Sequence, residues 1–417
     1  MDRLKTLLRN LGPGLLFASM AIGTSHLVLS TQAGATYGWL MIIPILLANL
    51  LKYPFFEFGI RYTNVTGKSL IEGYARRGKA YMWVYAGITL VTTFTILAAL
   101  YVVTAGLLAN LFNISSVPVS LIALGLFAFI SAALIIGRYS LLETTLKFVV
   151  TILFAALLVT TVLVLYKPAV EATPGFVRPP ILDNVGVLFL ISLIGWMPTA
   201  VEASSWISLW SLEKYKRLGG KPSLKEALQE FNTGYITTAL LAVFFLIIGL
   251  RTLYGTGTEL SGSAVIFADQ VVQLFTTHIG EWAYIFIAVS AFATMFSTCM
   301  TAHDAIARVS IDVLEYLQPK RKRYTEKWHY AAAILGLTGV NYLVLTALSA
   351  NMGQLVALAT FISFVLAPLV GYMNLKNVQS EDLPEASRPG RALRWLTYAG
   401  ILFLSFFALY YLWLMVG

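Results

Sequence analysis

Eleven long apolar stretches run through the chain, and no other feature limits its folding as much. They lie near 11–36, 38–62, 82–111, 117–137, 140–166, 182–211, 231–253, 279–313, 328–348, 351–373 and 393–416. A bilayer-crossing helix needs roughly 20 mostly apolar residues, because its backbone groups must bond within the segment. Each stretch is about that long. No sustained two-residue alternation appears, so a β-barrel is not expected. Charged residues make up 12% of the chain and apolar ones 58%, against about 25% charged in soluble domains. A soluble multi-domain enzyme does not fit, and neither does a disordered chain. The single cysteine excludes a disulfide framework or a cysteine-rich metal site.

The net charge is +9. In a membrane protein the useful question is which loops hold it, since cytoplasmic loops collect Lys and Arg. With the N-terminus inside, 22 of the 29 basic residues fall on inner loops, 3 on outer loops and 4 within spans. This bias predicts a cytoplasmic N-terminus in a bacterial-type cytoplasmic membrane and, after an odd number of spans, an outer C-terminus. No cleavable signal is expected after MDRLKTLLRN. The loops are too short for a separate soluble domain, so residues 1–417 read as one membrane transport domain. Its expected partners are the lipid bilayer and a transported solute, with no nucleic acid and no resident cofactor. The inner loop 212–230 reads as polar and partly helical. The outer loop 254–278 reads as holding a short surface helix.

Two spans carry helix breakers at corresponding places. The first has Gly23-Thr24-Ser25-His26 in its middle; the sixth has Gly195-Trp196-Met197-Pro198-Thr199. Proline removes a backbone donor, and glycine weakens a helix. Leu16-Phe17 and Ile22-Gly23 recur as Leu188-Phe189 and Ile194-Gly195, 172 residues on. Five spans separate the breaks, which inverts the second copy. The expected architecture is all-α, with inverted five-helix repeats at about 11–166 and 182–373 and an extra helix at about 393–416. Backbone groups freed at such breaks are costly in hydrocarbon unless bonded, and they can bind an ion or solute.

These strings resemble the Nramp (natural resistance-associated macrophage protein) family of divalent-metal transporters, within the amino acid–polyamine–organocation superfamily of LeuT-type fold. Gly12-Pro13-Gly14 resembles the family's GPG, Gln32-Ala33-Gly34-Ala35 its QAGA, Val65-Thr66-Gly67-Lys68-Ser69-Leu70 its VTGK-x-L loop, and Met197-Pro198 the MP of its sixth helix. The resemblance implies a secondary active transporter, not an enzyme, working by alternating access. It implies metal ligation by the Met197 side chain and the Ile194 carbonyl. Where the family has DPGN, this chain has Gly23, Thr24, Ser25 and His26, so the ligand Asp is lost and the Asn is His. The family's His after MP is Thr199. The third span holds no carboxylate, so the family's usual proton route is absent.

The substrate-binding candidates are therefore Gly23, Thr24, Ser25, His26, Ile194, Met197, Thr199 and Glu202, with His26 and Met197 as metal ligands. Imidazole and thioether suit transition metals better than magnesium or calcium, although histidine also bonds helix to helix and methionine also fills packing gaps. Thr294, Ser297 and Thr298 form a hydroxyl cluster in the eighth span. It reads as a sodium site in place of proton coupling, or as hydroxyls that hold helices together. Gln354 lies near the family's supporting Gln. In-span ionisable groups mark function or pair locally: Glu143 with Lys147, Asp304 with Arg308, Lys52 more loosely with Glu57, and Glu202 with no local partner. Two cargoes stay open: a divalent transition metal at an altered site, or a small organic or amino acid-like solute, sodium-coupled, in the small hydroxyl-rich break with Trp196 and Trp206 as lining. A scaffold of another class would need a soluble domain. No catalytic triad, HExxH or phosphate loop is present.

Overall fold

The computed structural model describes residues 13–281, 284–318, 327–348 and 351–416; the side chains at 137–153 and at a few other helix positions lie outside that description. Glu143 and Lys147 are among these. The described residues are mostly helical, and the longest non-helical connection among them runs over 167–183. Seven helical runs are long and apolar enough to cross a membrane unaided.

The first span is interrupted. Helix α1 (Pro13–Ala21) stops, Ile22 and Gly23 leave the helix, and a π-helical turn, Ser25–Ser30, leads into α2 (Thr31–Tyr37). The second span is α3 (Ile42–Thr66). A short helix, α4 (Leu70–Arg77), precedes the third span, which is split into α5 (Lys79–Thr93) and α6 (Ile96–Leu111). The sequence reading placed one unbroken helix over 82–111. The break falls in a threonine-rich stretch where Thr92 Oγ1 donates to Ile88 O at 3.0 Å, a side-chain bond that competes with the helix ladder.

The expected spans 117–137 and 140–166 are not separated by a loop. They form one helical run, α7 (Val119–Tyr166). Both ends of that run meet one stretch of chain, residues 251–262: Pro118 and Val119 share a cleft with Gly262, and the Val164 carbonyl accepts from Arg251 Nε at 3.3 Å. A straight helix of that length would reach roughly 72 Å, so the run is not one straight rod. The sixth span breaks as expected, into α8 (Asn184–Trp196) and α9 (Ala203–Leu218). Then follow α10 (Leu224–Leu253), the short helix α11 (Ala264–Ile279), α12 (Tyr284–Leu317), α13 (Lys327–Ala347), α14 (Met352–Val378) and α15 (Arg391–Val416).

Helix α10 runs along both halves of the first span and against α3. A β-carbon on Gly34 would collide with the Leu246 carbonyl, one on Gly249 with the Thr31 carbonyl, and one on Gly234 with the Gly14 carbonyl. The GPG and QAGA strings thus carry glycine where two backbones touch. On the other side α3 packs on α9 and α14. Helix α15 packs on α14 and α3 and turns Trp395, Leu402, Phe406, Leu409 and Trp413 outward, as a lipid-facing helix does.

The VTGK-S-L string is a helix-to-helix turn at the polar rim. Gly67 takes the left-handed conformation that ends α3 (φ +70°), Thr66 Oγ1 accepts from Lys68 N at 3.1 Å, and Ser69 caps α4 by accepting from Glu72 N at 3.0 Å. Asp382, in the turn before α15, accepts from Tyr62 Oη at 3.0 Å and Lys68 Nζ at 3.3 Å, and pairs with Arg76 at 3.5 Å. Burial pushes its carboxyl up, but the hydrogen bonds from Tyr62 and Lys68 and the charges of Lys68 and Arg76 outweigh it and hold the group below its ordinary 3.8. A depressed carboxyl stabilises the fold above its unfolded value and stops doing so as pH falls through the folded value. Asp382→Asn should therefore lower the melting temperature of detergent-solubilised protein at pH 7. Near pH 3 the gap between variant and wild type should narrow, as thermal scans at the two pH values would show.

Candidate functional site

The two breaks meet inside the bundle. Ser25 Oγ lies 3.3 Å from the Pro198 carbonyl, 3.0 Å from Ala21 O and 2.8 Å from His26 Nδ1. Gly23 sits against Thr298, whose Cγ2 would be 2.9 Å from an added β-carbon. Gly195 packs on the Thr360 carbonyl in α14 with equally little room. Thr24, Ser25, His26, Ile194, Met197 and Glu202 are buried, and Thr199 is half-buried. The breaks are enclosed, as in a transporter closed to both sides.

His26 is committed on both nitrogens. Nε2 lies 2.9 Å from the Thr238 carbonyl in α10; a carbonyl only accepts, so Nε2 carries the hydrogen and Nδ1 faces the Ser25 hydroxyl with its lone pair. A metal on His26 would have to displace Ser25 from Nδ1. Met197 is buried in the break, its amide donating to Ile194 O at 3.3 Å. Thr24 Oγ1 points to Met295 Sδ at 4.0 Å rather than to the sixth span.

The group that dominates the sixth-span break is one to which the sequence reading gave another partner. Lys52, fully buried midway along α3, donates from Nζ to Ile194 O at 2.6 Å and to Gly195 O at 2.7 Å. The expected Lys52–Glu57 pairing is not what forms. Glu57 is taken by Arg61, whose Nε lies 3.0 Å from both carboxylate oxygens, because residues four apart share a helix face and residues five apart do not. Glu202, past the break, accepts from Ser363 Oγ at 3.0 Å, and Ser363 accepts from Trp196 Nε1 at 3.0 Å. Its second oxygen, Oε2, is buried with no protein partner.

The hydroxyl cluster of α12 lies against the first span. Thr298 Oγ1 is 3.1 Å from both Ser19 O and Thr294 O, Ser297 Oγ is 2.7 Å from Thr294 O and 3.2 Å from Ser19 Oγ, and Thr294 Oγ1 donates to Ser290 O at 2.7 Å. Asp304 and Arg308 pair at 2.9 Å as expected, and Trp210 Nε1 and Tyr330 Oη also donate to Asp304, at 3.1 and 2.6 Å. Gln354 is exposed in a cleft beside Pro118 and Gly262, which none of the break residues lines. Trp206 is buried in α9. Among the described residues, no group of three or more His, Cys, Asp or Glu could hold a metal ion.

A family model described as natural resistance-associated macrophage protein-like matches residues 14–414. The chain belongs to the Nramp family. It is an integral membrane transporter of LeuT-type fold, not an enzyme. A relative from Pasteurella multocida (strain Pm70), uncharacterized protein PM0681, is 32% identical over 404 residues, 96% of this chain and 91% of the relative. A variant of the Eremococcus coleocola manganese transporter superposes with a TM-score of 0.71 at 14% identity, over 97% of this chain and 86% of that one. MhsT in complex with L-phenylalanine superposes with a TM-score of 0.61 at 13% identity, over 96% and 97%.

The hydrogen bond from His26 to α10 makes a stability prediction for this Nramp protein. His26→Phe leaves the Thr238 carbonyl without its donor, a loss of about 1–3 kcal/mol, whereas His26→Gln keeps a donor and should recover most of it. Thermal unfolding of the two purified variants beside wild type checks the order.

Proposed function

We propose that the protein is a secondary transporter that moves a divalent transition-metal ion by alternating access about its two broken helices. The observation that carries this reading is the meeting of the breaks, with Ser25 beside the Pro198 carbonyl, in a chain matched by the Nramp model from end to end. The Eremococcus neighbour is a manganese transporter. In this reading the Ile194 carbonyl and the Met197 thioether bind the cargo, and His26 holds the first-span break to α10. Thr24, Ser25 and Thr199 shape the cavity. With Gly23 in place of an Asp, Glu202 supplies the negative charge that dehydrating a divalent ion requires. In this reading the N-terminus is cytoplasmic and the C-terminus outside, as the bias of Lys and Arg in the loops favours, and the two repeats rock within one domain.

A second reading is favoured by one observation: an ammonium already sits on the sixth-span carbonyls. A positively charged, hydroxyl-lined break suits a small organic solute with a carboxylate, and the MhsT neighbour holds such a molecule. Uptake of Mn²⁺ into proteoliposomes, read by quenching of an enclosed dye, separates the two. The metal reading expects saturable quenching that Met197→Ala weakens at least tenfold. No quenching from folded protein, together with sodium-driven uptake of a labelled amino acid, would establish the second. Under either cargo the hydroxyls of Thr294, Ser297 and Thr298 are the coupling-ion candidates. Thr298→Val should raise the sodium needed for half-maximal transport, and a wild type indifferent to sodium would end that idea.

A further inference from the structure

The carbonyls of Ile194 and Gly195 have lost the helical partners four residues on, and Ile194 O keeps only a bond from Met197 N at 3.3 Å. The residue four positions after Ile194 is Pro198, which has no N–H; the residue four after Gly195 is Thr199, inside the break. Such carbonyls form the negative end of a half-helix, with about half an electronic charge, and in hydrocarbon they must be bonded. A bare cation is one solution. This chain uses another: Lys52 Nζ is bonded to both oxygens at 2.6 and 2.7 Å, and its side chain is fully buried. The third ammonium hydrogen is free to point elsewhere. Across the break stands Glu202, one oxygen held by Ser363 and the other, Oε2, buried without a partner.

We propose that the Lys52 ammonium is a tethered cation that occupies the Ile194 and Gly195 carbonyls in the empty protein, and that an inorganic cation reaches them only by displacing it. The place for Lys52 to go is the unpartnered Glu202 oxygen. The cargo part of this idea rests on the metal reading; the occupation of the carbonyls does not. Charge counting sets the direction of the effect. Lys52 and Glu202 sum to zero, so a divalent ion brings the enclosed site to +2. Without the lysine charge the site rises only from −1 to +1. Removing Lys52 therefore strengthens cation binding, unlike the loss of an ordinary structural residue.

The test uses the full-length protein in detergent, with the shift of melting temperature against Mn²⁺ concentration as the readout, beside Mn²⁺ uptake in proteoliposomes. Lys52→Gln keeps two N–H donors for the carbonyls without the charge, so it should fold even where Lys52→Met does not. The expected result is a Mn²⁺ midpoint at least tenfold lower in Lys52→Gln than in wild type, with Lys52→Arg, which keeps the charge, behaving as wild type. Equal midpoints in Lys52→Gln and wild type overturn the proposal, and so does a Mn²⁺ response in neither. Uptake by wild type with equal midpoints leaves the metal reading standing and removes the competition. A response confined to Lys52→Gln, with no uptake by wild type, upholds the tethered cation and removes metal as the native cargo.

Discussion

Two carbonyl groups in the middle of a membrane protein have lost the helical partner four residues on, and the sixth-span break is organised around satisfying them. Gly195 must be glycine because α14 lies against it, and Pro198 removes a donor, so the sixth span stops at Trp196. Lys52 then closes the accounts of Ile194 and Gly195 from the neighbouring α3. A buried ammonium is itself costly without negative partners, which gives Glu202 a reason to sit across the break. Glu202 in turn is oriented by Ser363, and Ser363 is engaged by Trp196 at the end of the same broken helix. The chain of dependence returns to where it started.

This arrangement gives the site a charge pattern unlike the one that the family resemblance implies. An Asp in the first-span break would bring a negative charge to the cargo; here that position is Gly23, which lets Thr298 close in. The position of the neighbouring Asn is His26, bonded to α10 and to Ser25 instead of facing an open cavity. Meanwhile a positive side chain has entered from α3. Family membership and site chemistry therefore carry different information: one describes how the protein moves, the other what charge it accepts.

Much of this was legible in the residues. The breaks at Gly23 and Pro198, the extra helix after the second repeat and the short helix within 254–278 all follow from helix breakers and apolar runs. The glycines of GPG and QAGA were legible as motif, but their cause, contact with α10, needed the packing. Lys52 was visible as an ionisable group inside a span. Its partner was not, because the carbonyls of Ile194 and Gly195 are about 140 residues away and carry no side-chain signature. The break between α5 and α6 carries no signature in the sequence, because the run around Thr92-Thr93 holds no proline or glycine and the threonine hydroxyl bond to Ile88 also occurs within unbroken helices, as at Thr104 and Thr252. Which faces meet lipid, as on α15, was also hidden, since apolar residues surround every span.

Helix α10 touches the first span at three levels. Gly234 meets Gly14 before the break, Thr238 holds His26 at the break, and Gly249 meets Thr31 beyond it. It works as a splint laid across a fracture. Both fragments are bound to one unbroken rod at spacings that leave no room for sliding, so the gap at Ile22 and Gly23 is not by itself a hinge. Any tilt of the inner fragment either carries α10 with it or first peels Gly14 from Gly234, while the outer fragment stays clamped. In the sixth span, the break at Met197–Glu202 connects α8, held by α14, to α9, held by α3. That joint has a splint of its own in α3, whose Lys52 bonds the end of α8 while Gly59 lies against the Ser204 carbonyl of α9.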